Sequence, residues 1–136
     1  MSSVQYAETN VGDALPEQKI EVTSSLIVGG ALASQDFTPV HHDRGAAQAS
    51  GMQDVFMNIL TTNGLCERFV TDWAGSDAQV RKVAIKLGTP NTPGETMTMT
   101  GTVLERNDAD KTVVVELAGK NTWGNHVTGT ITLALP

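Results

Sequence analysis

The second half of the chain alternates with period two over separate stretches, and this constrains the fold more than any other feature. In "TMTMTGTVLE", Met97, Met99, Gly101 and Val103 alternate with Thr96, Thr98, Thr100 and Thr102. In "HVTGTITLAL", Val127, Gly129, Ile131, Leu133 and Leu135 alternate with Thr128, Thr130 and Thr132. "RKVAIKL" sets Val83, Ile85 and Leu87 opposite Lys82 and Lys86, and "KTVVVELAG" reads as a further strand. Successive strand side chains point to opposite faces, so these runs predict an antiparallel sheet with one buried face. "TPNTPGE" is a turn-rich connection and "RNDAD" a hairpin loop. The buried face needs an apolar partner from the first half of the chain.

That partner is predicted over roughly Gln53 to Thr71, where Val55, Phe56, Met57, Ile59, Leu60, Leu65, Cys66, Phe69 and Val70 cover nearly all sides of a helix. A helix apolar all round is a buried one. Ser50-Gly-Met-Gln53 has capping-box spacing for its start. Gly64 in its interior costs about 1 kcal/mol relative to Ala, and is expected to mark close packing. Upstream, "PEQKIEVTSSLIV" (Pro16 to Val28) reads as a loose strand broken by Gly29-Gly30. Asp43 is positioned to cap a short helix, "RGAAQA". Residues 1–14 are expected to be a flexible segment, followed by one domain over residues 15–136. A strand, two helices and then at least four strands is a segregated order, hence α+β. A curled antiparallel sheet wrapped around one long buried central helix is the hotdog fold.

Net charge is −6, which argues against nucleic acid as a partner, because that role needs clustered Lys and Arg. A phosphate-bearing small ligand stays open, with Arg44, Arg81, Lys82 and Lys86 as cations that could meet it or simply be surface charges. No run approaches the ~20 apolar residues of a membrane span. "MSSVQYAETN" lacks the basic start and apolar core of a signal peptide. Cys66 is the only cysteine, which fits a reducing compartment. A soluble cytoplasmic protein is expected.

The chemistry-bearing stretch is "QDFTPVHHD", Gln35 to Asp43. A carboxylate and an imidazole converging on one point can hold and polarise a water, and histidine is the usual acid–base group near neutral pH. Asp36 and His41 are the candidates, with Pro39 restricting the path between them; the bland alternative is a polar loop leading into a helix. His42 reads as a neighbour and Asp43 as a cap. "HHD" is not a metal site, because adjacent residues rarely aim at one ion and zinc would need further ligands. His126, within a strand, reads as packing or hydrogen bonding. Cys66 reads as a small buried hydrophobe.

Asp36-Phe37-Thr38-Pro39-Val40-His41 followed by Ala47 resembles the D-x-N-P-[LIV]-H-x5-[AS] signature of MaoC-like (R)-specific enoyl-CoA hydratases. Thr38 replaces the usual Asn, and Ser34-Gln35 the usual small-Gly pair. The runs "DFTPVHHDR", "FMNILTTNGLCERFVTDWAG" and "KNTWGNHVT" resemble the small subunit of heteromeric steroid side-chain enoyl-CoA hydratases. This resemblance implies a hotdog fold and hydration of a bulky enoyl-CoA. Asp36 and His41 would activate water, and no cofactor is needed beyond the CoA of the substrate. It also implies a larger MaoC-like partner, often fused to a DUF35-type domain, in a heterotetramer. The family's oxyanion amide comes from a Gly at the start of the central helix, to which Asn58 corresponds here; Gly51, near the expected helix start, is the other candidate. An acyl-CoA thioesterase and a non-catalytic partner subunit are the competing readings.

Overall fold

The structure, a computed structural model, describes residues 2–136. After a 3₁₀ turn at Tyr6–Glu8 come β1 (Gln18–Glu21), α1 (Ser24–Ala33), a second 3₁₀ turn at Pro39–His41, α2 (Arg44–Ala49) and α3 (Ile59–Ala74). The chain then forms β2 (Gln79–Leu87), β3 (Thr96–Asn107), β4 (Thr112–Asn121) and β5 (Gly124–Ala134). The strands make one antiparallel sheet in the order β1-β3-β4-β5-β2. Register shifts at Val80/Lys82, Val103/Glu105 and Gly119/Lys120 add local twist, as bulges do, and help the sheet curl. The α+β hotdog architecture expected from the alternation is the one observed.

The alternation sorts the faces of β3 and β5 as expected, but on the edge strand β2 Val83 and Ile85 are only half-buried and Leu87 is exposed. Met97, Met99 and Val103 are fully buried, whereas Thr100 and Thr102 are exposed. At Gly101 the Phe69 ring of α3 packs closely on β3: a Cβ there would lie 2.9 Å from it. Helix α3 buries Thr62, Leu65, Cys66, Phe69, Val70 and Ala74, spacings of three and four that define one stripe.

Three expectations about the helices are corrected. The central helix starts at Ile59, not near Gln53, and runs to Ala74. Ser50 is the C-cap of α2 and its hydroxyl donates to Ala47 O at 2.7 Å, while Gly51 turns the chain at φ +95°. Asn58 is the true N-cap, accepting from Thr61 N at 3.1 Å. With residues 53–58 outside it, the helix is amphipathic rather than apolar all round. Gly64 does not mark close packing, since nothing lies within 4 Å of a Cβ built there.

The strand expected over Pro16–Val28 stops at Glu21. Thr23 accepts a hydrogen bond from Leu26 N at 3.0 Å and so caps α1, which continues through Gly29 and Gly30. Ile27 and Ala31, four apart, are its buried contacts. Gly30 lets α1 lie directly on Thr61 of α3, where a Cβ would collide with the Thr61 side chain. The cap at Asp43 is as expected, with Ala46 N donating to Asp43 Oδ1 at 3.0 Å.

Residues 2–14, expected to be flexible, are packed onto the domain; Met1 lies outside the described residues. Val4 N donates to Ala74 O and Tyr6 N to Pro136 O, both at 2.9 Å. Tyr6 is buried, its hydroxyl donates to Asp108 Oδ1 at 2.6 Å, and Arg106 stacks 4.4 Å from its ring centroid. The reach from Tyr6 to Asp108 is invisible to local sequence pattern. Among the described residues no helix is long and apolar enough to cross a membrane.

Candidate active site

Asp36 follows α1 through Gln35, which sits at φ +57°. That left-handed conformation is one glycine adopts without steric cost, so Gln35 occupies a glycine-like position. Asp36 N then donates to Ala31 O at 2.9 Å. Pro39 opens the 3₁₀ turn, its fixed φ suiting a first helical position, and the turn folds His41 back toward Asp36. His41 Nε2 lies 3.3 Å from Asp36 Oδ2. His41 is buried, with its ring edge-on to Phe56 at a centroid distance of 5.0 Å.

The carboxylate is well supplied with donors. Thr38 Oγ1 and N donate to Asp36 Oδ1 at 2.7 and 3.2 Å, and Asn58 Nδ2 donates to Oδ2 at 3.0 Å. The Thr38 hydroxyl first, then the Asn58 amide and the Thr38 N–H, hold Asp36 below the ordinary carboxylate value; burial opposes them and His41 adds a smaller lowering. Asp36 is therefore ionised at neutral pH. Thr38, where the signature this stretch resembles has Asn, supplies a side-chain donor to this oxygen.

The histidine tautomer follows from its other nitrogen. His41 Nδ1 is 2.6 Å from Phe56 O, a carbonyl that can only accept, so Nδ1 carries a proton. In the neutral ring Nε2 is then an acceptor facing a carboxylate. Two acceptors 3.3 Å apart need a shared donor, and a water seated beside them in the cavity can donate to both.

Asp36, His41, Asn58 and His126 all line one cavity of about 480 Å³, together with Met57 and Ile59. Asn58 is 2% exposed; its amide also donates to Ser34 Oγ at 2.9 Å. One side chain thus caps α3 and orients Asp36. The N–H groups at the start of α3 lack intrahelical acceptors and carry the positive end of the helix dipole. Gly51 does not share this position: it lies beyond α2, and its N–H donates to Gln48 O at 3.0 Å.

Sequence reasoning missed the place of His126. It is 2% exposed, with Nδ1 2.7 Å from Thr89 O and Nε2 2.7 Å from Thr62 Oγ1. The Thr89 carbonyl again places the proton on Nδ1, so Nε2 accepts from the Thr62 hydroxyl. Burial lowers the His126 pKa, against the raising effect of the Thr89 carbonyl, and the ring is neutral at neutral pH. Its hydrogen-bonding role was readable from the sequence; its position in the cavity was not. Cys66 is fully buried, and burial pushes its thiol up to about 12, so it remains protonated. Of the candidate phosphate cations, Arg44 lies 3.8 Å from Asp54, while Arg81, Lys82 and Lys86 are exposed on β2; none lines the cavity.

A curled sheet around one helix, with an Asp–His pair at the helix's N-terminal end, defines the class, and the chain belongs to the MaoC-like domain family, whose pattern matches residues 7–124. Within it, the chain is 45% identical over 127 residues to the 3-oxo-4,17-pregnadiene-20-carboxyl-CoA hydratase beta subunit of Mycobacterium tuberculosis (strain ATCC 25618 / H37Rv), covering 93% of this chain and 97% of that one. It is also similar to a chain in the crystal structure of the ChsH1-ChsH2 complex from Mycobacterium tuberculosis, with a TM-score of 0.91 and 44% identity over 94% of this chain and 99% of that chain. The (R)-hydratase from A. caviae involved in PHA biosynthesis shares the fold at a TM-score of 0.86 and 17% identity, over 95% of this chain and 98% of that chain.

Proposed function

We propose that the chain is the catalytic small subunit of an enoyl-CoA hydratase acting on a bulky, steroid side-chain enoyl-CoA. The observation that carries this reading is the 3.3 Å approach of His41 Nε2 to Asp36 Oδ2, beside the start of α3. Similarity to a steroid-CoA hydratase beta subunit supports the substrate class.

Water sits beside the pair, in the cavity, where it can reach both acceptors. Its oxygen attacks the β-carbon while His41 Nε2 takes its proton and Asp36 orients the water through its second hydrogen. The π electrons move to the thioester oxygen, where the Asn58 N–H at the start of α3 stabilises the developing charge. Collapse of this enolate takes a proton onto the α-carbon from the Asp36–His41 pair. One C–O and one C–H bond form, the C=C π bond is lost, and no redox step or cofactor is required.

Similarity to one chain of a two-protein complex supports a larger MaoC-like partner. The edge strands of a lone hotdog leave backbone groups unpaired, which a second hotdog would cover. A DUF35-type domain on that partner, a heterotetramer and a cytoplasmic location complete the proposal. The assembled enzyme should bleach the absorbance of a conjugated enoyl thioester without releasing thiol. Thiol release would instead support a thioesterase. Unchanged hydration after Asp36→Ala and His41→Ala would make this chain the non-catalytic partner.

A further inference from the structure

Asn91, in the loop between β2 and β3, is fully buried, a costly place for an amide unless it is well hydrogen-bonded. On one side its bonds are poor. Nδ2 donates to the thioethers of Met97 and Met57 at 3.2 and 4.0 Å, and sulfur is a weak acceptor. On the other side Oδ1 accepts from Asn121 Nδ2 at 2.9 Å. Packing against two methionines does not account for an amide at this position.

Backbone groups fix the orientation of both amides. Asn121 Nδ2 also donates to Pro90 O at 3.0 Å, and its Oδ1 accepts from Trp123 N at 2.9 Å. A carbonyl only accepts and a backbone N–H only donates, so the Asn121 amide has one orientation. The Asn91 atom facing its Nδ2 is therefore the oxygen. The turn after β4 is thereby tied to the loop whose Gly88, Thr89 and Pro90 wall the catalytic cavity.

Asn91 reaches the site through its backbone. Its carbonyl accepts from Met57 N at 3.0 Å. In the same peptide unit, the Phe56 carbonyl accepts from His41 Nδ1 at 2.6 Å. A peptide unit is planar, so one rigid plate is pinned at its N–H by Asn91 and at its C=O by the base. The next peptide carries the Asn58 N–H, the amide that meets the developing thioester charge in the proposed reaction. Rotating the plate would shift the anchor of His41 and re-aim the Asn58 N–H together.

We propose that Asn91 and Asn121 are positioning residues for the hydration. Neither lines the cavity; they act through the Phe56–Met57 peptide, holding it where His41 and the Asn58 N–H converge on one substrate. The proposal rests on the reading of the chain as an enoyl-CoA hydratase. Asn121 is only half-buried, and Asn121→Asp keeps its shape and the acceptor for Trp123 N while removing the donor to Pro90 and Asn91. Asn121→Asp and Asn121→Ala, each assembled with the large subunit, should lower kcat for a steroid-bearing enoyl-CoA by about 10- to 100-fold. KM should stay within about twofold, the split expected when the loss is confined to the transition state. Infrared spectra of a bound saturated acyl-CoA, labelled with carbon-13 at the thioester carbon, should show the carbonyl stretch at higher frequency in both variants, because its hydrogen bond to the Asn58 N–H is weakened. A lowered unfolding midpoint with kcat per folded molecule within about twofold of the unaltered enzyme would make the pair a loop clamp and overturn the proposal. An unchanged carbonyl stretch, or a rise in KM that accounts for the whole loss, would overturn it equally. An unaltered assembled enzyme that hydrates no enoyl-CoA would overturn the hydratase reading, and the proposal with it.

Discussion

His41 and His126 line one cavity and are anchored alike. Each donates Nδ1–H to a backbone carbonyl, Phe56 at 2.6 Å and Thr89 at 2.7 Å. They differ at Nε2. For His126 that nitrogen is already satisfied by the Thr62 hydroxyl. For His41 it faces the Asp36 carboxylate, which has no proton to give. The difference teaches that burial and cavity lining do not by themselves define a base; the partner on the acceptor nitrogen does.

The largest expected effect comes from removing the available acceptor. His41→Ala and Asp36→Ala should each lower kcat for hydration by about 10²–10⁴-fold. Asp36→Asn should behave similarly: if its oxygen keeps the Thr38 donors, its new N–H₂ faces the Asn58 amide and His41 Nε2, filling the acceptor that water needs. His126→Ala should instead cost stability, about 1–3 kcal/mol for leaving the Thr89 carbonyl without its donor and the buried Thr62 hydroxyl with only its 3.4 Å contact to Asn58 O, measured by denaturant unfolding, while kcat stays within about tenfold.

The two sites also separate in pH. The folded-state pKa of His126 is lowered from the ordinary 6.5. Its contribution to stability is thus fully present above 6.5 and is lost as pH falls toward the lower folded value. For Asp36, also lowered, the contribution is present above the ordinary 3.8 and lost as pH falls through the folded value. Unfolding midpoints followed from pH 7 downward should show the first loss in the native protein and not in His126→Gln. An undiminished slope below 6.5 in that variant would assign the loss to another group.

The smallest expected effects come from two helix glycines. Gly30→Ala would push on Thr61, next to Asn58 and thus to the support of Asp36, and should cost about 1–3 kcal/mol together with some kcat. Gly64→Ala meets nothing within 4 Å and should stabilise the chain by about 1 kcal/mol with kcat unchanged. Thermal unfolding and initial rates measured on both variants test whether crowding the α1–α3 contact beside Asn58 disturbs Asp36 while filling an open position on α3 does not.

The sheet was legible because Thr and apolar residues alternate without interruption from Thr96 to Val103 and again from Val127 to Leu133. The Asp36-to-His41 motif and the Asp43 cap were legible because each is contiguous. Helix α1 was not: Ile27 and Val28 favour strands locally, and the deciding contact, Gly30 against Thr61, is long-range. The start of α3 was hidden by the capping-box spacing at Ser50, whose hydroxyl turns back to α2. Asn58 could be placed by resemblance as a backbone donor; its side chain, which caps α3 and holds Asp36, emerged only from the fold. His126 joins Thr62 across 64 positions, a pairing that no local pattern signals.

The central claim is that the open acceptor of His41, and not the satisfied one of His126, takes the proton from water. Its most direct test is kcat for enoyl-CoA hydration at neutral pH in His41→Ala and His126→Ala, each assembled with the large subunit and corrected for folded fraction. The account predicts a loss of at least about 10²-fold for His41→Ala and less than about tenfold for His126→Ala. A His126→Ala loss as deep as that of His41→Ala, or near-native rates in His41→Ala, would contradict it.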